Sequence, residues 1–224
     1  VRITELHRRL LADVLAIGTP YPLVITGGYA AQAHGLVDRL SQDIDVATEN
    51  PSPMSAIVDE LVLGLVERGW QVSTISVDPL AARLMVTSAD TGEQCEVDVL
   101  KENLWSRPAL TPYGPVLGLD DVIGTKVRAL ADRAAPRDFV DVRAAAGDHT
   151  IADLEMLGKR HGRGQFRLDD LRDRLGTSQW IDDAEFEAYG LSADQIAELR
   201  QWAQEWVSDL EQRLNTGMDD DHDA

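Results

Sequence analysis

Asp43 and Asp45 stand in the run QDIDVAT, where Ile44 and Val46 alternate with them. That alternation predicts a strand, and positions two apart on a strand point to the same face. Both carboxylates would then project together, an unfavourable arrangement unless a cation lies between them. Hard cations such as Mg²⁺ take oxygen donors of this kind. Upstream, Gly27 and Gly28 follow the strand-like PLVIT and precede the helix-like YAAQAHGL. Backbone N–H groups near that helix start could face an anion with no side chain in the way. Each feature also has a plainer reading, an exposed strand face for the acids and a simple turn for the glycines.

Further along, QCEVDVL splits cleanly, with Cys95, Val97 and Val99 on one face and Glu96, Asp98 and Leu100 on the other. Asp98 falls in mid-strand, where β-propensity disfavours it, so either that face is open to solvent or the carboxylate has a task. Residues 119–133, LDDVIGTKVRALADR, carry Lys126 on a helix whose apolar stripe is Leu119, Val122, Ile123, Val127 and Leu130. In the next helix, PRDFVDV, Asp138 and Asp141 are three apart and so neighbours on one face. The stretch KRHGRGQFR gathers Lys159, Arg160, Arg163 and Arg167 around two glycines. It is either a solvated helix end or a contact for phosphate.

The elements that must position these residues are legible from pattern. Residues 3–16 form an amphipathic helix that Thr4 caps, Pro22–Thr26 a strand, and 53–68 a core helix ended by Gly69. Residues 70–77 and 83–88 read as strands, and the turn 89–93 pairs 83–88 antiparallel with 94–100. Residues 112–118 are a Pro/Gly-rich loop, after which the pattern is helical: 119–133, 136–147, 150–161, 168–175, 182–189 and a long helix 192–214 opened by the capping box Ser192, Gln195.

With 224 residues, 44% of them hydrophobic, the chain can bury a full core. A net charge of −18 argues against a broad non-specific nucleic-acid footprint and leaves room only for a local basic contact. The single cysteine excludes an internal disulfide and a cysteine zinc cluster, and suits a reducing compartment. No apolar run reaches the roughly 20 residues of a membrane helix, and no secretory leader is seen at the start. A cytoplasmic protein without membrane contact is expected.

Taken in order, GGYAAQAHGLVDRLSQDIDV, EVDVL, GTKVRALADR and PRDFVDV resemble the nucleotidyltransferases of the DNA polymerase β superfamily, and most of all its AbiEii/AbiGii toxin branch. The resemblance spans about 27–142; beyond 150 the likeness is only that both are helical. It implies an α+β fold, with a small mixed β-sheet core flanked by helices over 1–111 and a helical region 112–217 that completes the cleft and the acceptor side; the tail 218–224 reads from its acidic composition as disordered. The resemblance further implies a metal-dependent transfer of NMP from an NTP to an acceptor hydroxyl, here the 3′ end of tRNA, by the toxin of a bacterial toxin–antitoxin pair whose antitoxin is encoded nearby.

By the same resemblance, Asp43 and Asp45 would hold two Mg²⁺ ions, with Asp98 as third ligand. Gly27, Gly28 and Ser41 would contact the triphosphate, and Lys126 would neutralise its β/γ charge. Asp138 matches the last acidic position, with Asp141 as rival. Apart from the resemblance, the locally basic run Lys159, Arg160, Arg163 and Arg167 would be where the acceptor's backbone docks if it faces the cleft. A phosphate on Ser41 would oppose the triphosphate and make that residue a control point. Two alternatives stand beside this: the same chemistry on a small aminoglycoside-like molecule or a protein hydroxyl, and a catalytically silent partner-binding module.

Overall fold

A seven-stranded mixed sheet with the order β3-β4-β5-β2-β1-β7-β6 is the frame of the first half of the chain. The structure is a computed structural model and describes residues 1–215; the expected acidic tail 218–224 lies outside the described residues. The described chain divides into two units, Val1–Val122 and Ile123 onward, and the α+β class expected from the sequence is what the fold shows.

In the first unit, α1 (Glu5–Ile17) buries Leu10, Leu11 and Val14, and the Thr4 hydroxyl accepts from the His7 N–H at 3.1 Å as the cap. The chain then passes through β1 (Val24–Ile25), α2 (Gly27–Ala33), β2 (Ile44–Thr48) and α3 (Met54–Glu67). The meander β3 (Trp70–Val77), β4 (Ala81–Ser88) and β5 (Gln94–Lys101) follows, antiparallel throughout. β5 lies parallel to β2, pairing Ile44 with Val97 and Asp45 with Asp98.

Alternation settles which face is core. Leu84, Val86, Cys95, Val97, Val99, Ile44 and Val46 are all buried, together with Ile57, Leu61 and Leu65 of α3. The in-between residues Arg83, Glu96, Asp98 and Asp45 form the other, partly open face. Fully burying each large aliphatic side chain contributes about 1.5–3 kcal/mol, so the apolar face fixes the register. A slip by one residue would turn the acids into the core.

Three local readings are corrected. The strand expected at Pro22–Thr26 is only Val24–Ile25, since the chain must turn into α2 at once. The expected loop 112–118 contains a strand: β6 (Ala109–Thr111) and β7 (Gly114–Val116) form a hairpin, and β7 pairs parallel with β1. Its turn needs Gly114, at φ +127, pressed against Leu15. Asp43 sits in the bend just before β2, not within the strand.

The second unit is helical. It begins within α4 (Leu119–Asp132), whose Ile123, Val127 and Leu130 are buried. It continues through α5 (Pro136–Ala145), α6 (Ile151–His161), α7 (Leu168–Gly176), a 3₁₀ turn Thr177–Gln179, the short α8 (Asp183–Glu187) and α9 (Ala193–Asn215). Trp206, Leu210, Ile196 and Leu199 of α9 are buried, as the helical stripe requires. The capping box Ser192, Gln195 forms in both directions, at 2.9 and 3.3 Å. Among the described residues no helix is long and apolar enough to cross a membrane.

Candidate active site

Asp45 and Asp98 are register partners on neighbouring parallel strands, so their carboxylates leave the sheet from points about 4.8 Å apart on one face. Asp43, two residues before Asp45, adds a third acid from the bend that leads into β2. Parallel pairing of segments this far apart in sequence is what unites them.

The glycine pair closes on this edge as its first two helical residues. Gly27 adopts φ +61, and a Cβ placed on it would stand 1.8 Å from Asp45 Oδ2. Only glycine therefore lets the backbone approach that carboxylate, and its left-handed φ adds a second reason. A Cβ on Gly28 would fall 2.4 Å from Ser41 Oγ. Ser41 is buried and donates to Asp43 Oδ1 at 3.0 Å. The glycines, Ser41, Asp43 and Asp45 are thus one contiguous group, with Asp98 across the register. α2 spans seven residues, so the glycines count here for the close approach their backbone allows.

Arg83 on β4 is the member that reading the motifs missed. It faces Asp98 across the antiparallel register and grips both carboxylate oxygens, Nε to Oδ1 at 2.8 Å and Nη2 to Oδ2 at 2.7 Å. Its Nη1 reaches Glu96 at 3.2 Å. This fork pushes the guanidinium pKa further above its ordinary value, with the Asp98 hydrogen bonds as the main cause. Counting back from the turn 89–93 pairs Ser88 with Gln94 and so sets Arg83 opposite Val99; the observed register, with Thr87 opposite Gln94, is one residue different and brings Arg83 to Asp98.

Neighbouring groups are held out of chemistry. Burial pushes the Cys95 thiol up to about 12, and the charges of Asp43, Asp45 and Glu96 add to the effect. Burial thus keeps this thiol in its protonated, less reactive form. His7 is buried with its Nδ1 2.6 Å from the Tyr29 hydroxyl; burial lowers its pKa, with Asp43 opposing.

Do these residues suit a hard divalent cation? The donors are all carboxylate oxygens, clustered on one face and partly open, which is the chemistry such an ion takes. Among the described residues no group of three acidic, histidine or cysteine side chains is already gathered as a metal cage. Asp98, the third carboxylate, is engaged by Arg83.

In the second unit, Lys126 is buried and its Nζ lies 2.7 Å from Asp141 Oδ2, with Asp141 wholly buried. Asp141, and not Asp138, is therefore the acid beside this lysine. Asp138 is instead held by both Nε and Nη2 of Arg133 at 2.9 Å and accepts the Ala135 N–H at 3.1 Å, joining the end of α4 to the start of α5. Lys159 and Arg160 occupy the last turn of α6, and Arg163 follows at φ +53. Lys159, Arg160, Arg163 and Arg167 are exposed, and Arg167 also pairs with Asp169 at 3.3 Å.

Comparison with known proteins bears on the family and the fold. The family model described as nucleotidyl transferase AbiEii toxin, type IV TA system, matches residues 9–212. Two solved structures share the fold. MenT4, a nucleotidyltransferase toxin from Mycobacterium tuberculosis, has a TM-score of 0.57 at 17% identity, covering 94% of this chain and 91% of its own. JHP933 from Helicobacter pylori has a TM-score of 0.53 at 19% identity, covering 96% and 97%. No curated protein sequence matches.

Proposed function

Since the chain belongs to the AbiEii nucleotidyl transferase toxin family and is thus a nucleotidyltransferase, we propose that it transfers NMP from an NTP to the 3′-terminal hydroxyl of a tRNA. The observation that carries the site assignment is the pairing of Asp45 with Asp98 across β2 and β5, with Gly27 pressed against Asp45.

In this reading Asp43, Asp45 and Asp98 would hold two Mg²⁺ ions. When bound, such ions supply charge neutralisation at the attacking hydroxyl and at the leaving pyrophosphate. The acceptor oxygen attacks the α-phosphorus, the bond from that phosphorus to the α–β bridging oxygen breaks so that pyrophosphate leaves with it, and the hydroxyl proton passes to water. Ser41 orients Asp43 through its hydrogen bond and, with the Gly27 and Gly28 backbone, contacts the triphosphate. Lys126 serves as counter-charge to the β- and γ-phosphates, as a compact point charge suits. The second unit selects the acceptor, with Lys159, Arg160, Arg163 and Arg167 exposed and available to a phosphate backbone.

A type IV family comes with an antitoxin, and we place its gene beside this one. The net charge of −18 favours a second reading, in which the acceptor is a small molecule or a protein hydroxyl and no polyanion is bound. One experiment separates the two: each α-labelled NTP is offered with total tRNA, an aminoglycoside set or protein extract. Label on tRNA is expected; label only on another acceptor overturns the tRNA reading.

A further inference from the structure

The fork between Arg83 and Asp98 joins unequal partners. The Arg83 side chain is 45% exposed and the Asp98 side chain 14%. The carboxylate is therefore fixed in the sheet, while the guanidinium lies at the open face with room to move. Asp98 stands beside Asp45 in register, and Glu96 lies on the same face of β5, 3.2 Å from Arg83. Without a cation this face would hold several like charges at strand spacing, which is unfavourable.

We propose that Arg83 is a resident counter-cation that occupies Asp98 until a divalent ion displaces it, so that loading of the third carboxylate is gated by an arginine exchange. This rests on the assignment of Asp43, Asp45 and Asp98 as metal ligands. Arg83 and the ion compete for the same two oxygens, Oδ1 and Oδ2, since the fork takes both. Once displaced, a planar guanidinium at the open face suits a phosphate oxygen, for which its geometry is matched. The nucleotide that arrives with the metal thus offers Arg83 a new partner as it loses the old one, and metal and NTP load together better than either alone.

The competition gives a test whose sign differs from that of a merely structural role. Mn²⁺ binding is measured by calorimetry on the full chain for wild type, Arg83→Gln, Arg83→Lys and Asp45→Asn. If Arg83 competes, Arg83→Gln binds Mn²⁺ on the order of tenfold more tightly, the scale on which a contacting opposite charge shifts a carboxylate. Arg83→Lys, which cannot fork, falls between the two. The melting temperature of Arg83→Gln drops without metal and is restored by Mn²⁺. Equal or weaker binding by a folded Arg83→Gln overturns the gate while leaving the metal site standing. Absence of Mn²⁺ binding in both wild type and Arg83→Gln, or undiminished binding in Asp45→Asn, overturns the metal assignment and the gate with it.

Discussion

The open face of the sheet and the helical unit hold their carboxylates in different ways. On the sheet, Asp98 is tied to an arginine whose side chain is nearly half exposed, and Asp43 is tied to a serine hydroxyl. In the helical unit Asp138, Asp141 and Glu155 are buried, with partners that also brace the packing: Arg133 and the Ala135 N–H, Lys126, and Arg213 with the Trp206 indole N–H. Carboxylates of the first kind are themselves partly open to water, so losing a partner does not strand them. Those of the second kind are buried, so removing one partner strands a charge in low dielectric. Exchangeable acids suit a site that must admit metal and nucleotide; locked acids suit a scaffold.

Lys126 tests that division hardest, because the proposed function gives it a phosphate to neutralise while its buried pair with Asp141 marks it as scaffold. Lys126→Met should reduce transfer on the order of 100-fold, the scale of losing one preorganised charge. It should also cost about 3–5 kcal/mol of stability by stranding Asp141. The double variant Lys126→Met, Asp141→Leu should recover most of that stability in urea melts and none of the activity. Recovery of both would make Lys126 scaffold only.

Gly27→Ala should break the sheet site at smaller structural cost. The strained φ costs about 1–2 kcal/mol, while the added methyl must push Asp45 aside, so kcat should fall far more than stability does. A stable variant with wild-type kcat would remove the close approach from the account.

His7 gives a graded effect with pH. Its pKa is lowered in the folded protein chiefly by burial, so below the ordinary histidine value the unfolded chain binds a proton that the folded chain refuses. Stability from this group is complete above that value and declines as pH falls through it towards the lowered one. Denaturant midpoints measured from pH 8 to pH 5 should fall more steeply for wild type than for His7→Gln, and parallel curves would count against the burial. Smallest of all, Arg167→Ala should change stability by less than about 0.5 kcal/mol, as expected for an exposed pair. Its effect should appear as a raised KM for tRNA.

Much of this was readable in the chain, and the remainder fails for a physical reason. The helices 3–16, 53–68 and 119–133 and the pairing of 83–88 with 94–100 are local, so periodicity and one turn reveal them. The hairpin at β6 and β7 was hidden because Pro115 and two glycine-type turn signals resemble a plain loop, and three-residue strands carry no usable alternation. The Asp45–Asp98 register was beyond pattern reading, since parallel pairing between distant segments leaves no local trace. Resemblance supplied those residues; it did not supply Arg83, nor that Lys126 lies against Asp141 and not Asp138.

The central claim is that the sheet carboxylates carry the chemistry. Transfer of α-labelled nucleotide to acceptor, with Mg²⁺, is compared between wild type and Asp45→Asn, each first shown to be folded by its thermal transition. A folded Asp45→Asn is expected to transfer no label above background. Transfer near the wild-type rate by that folded variant would contradict it.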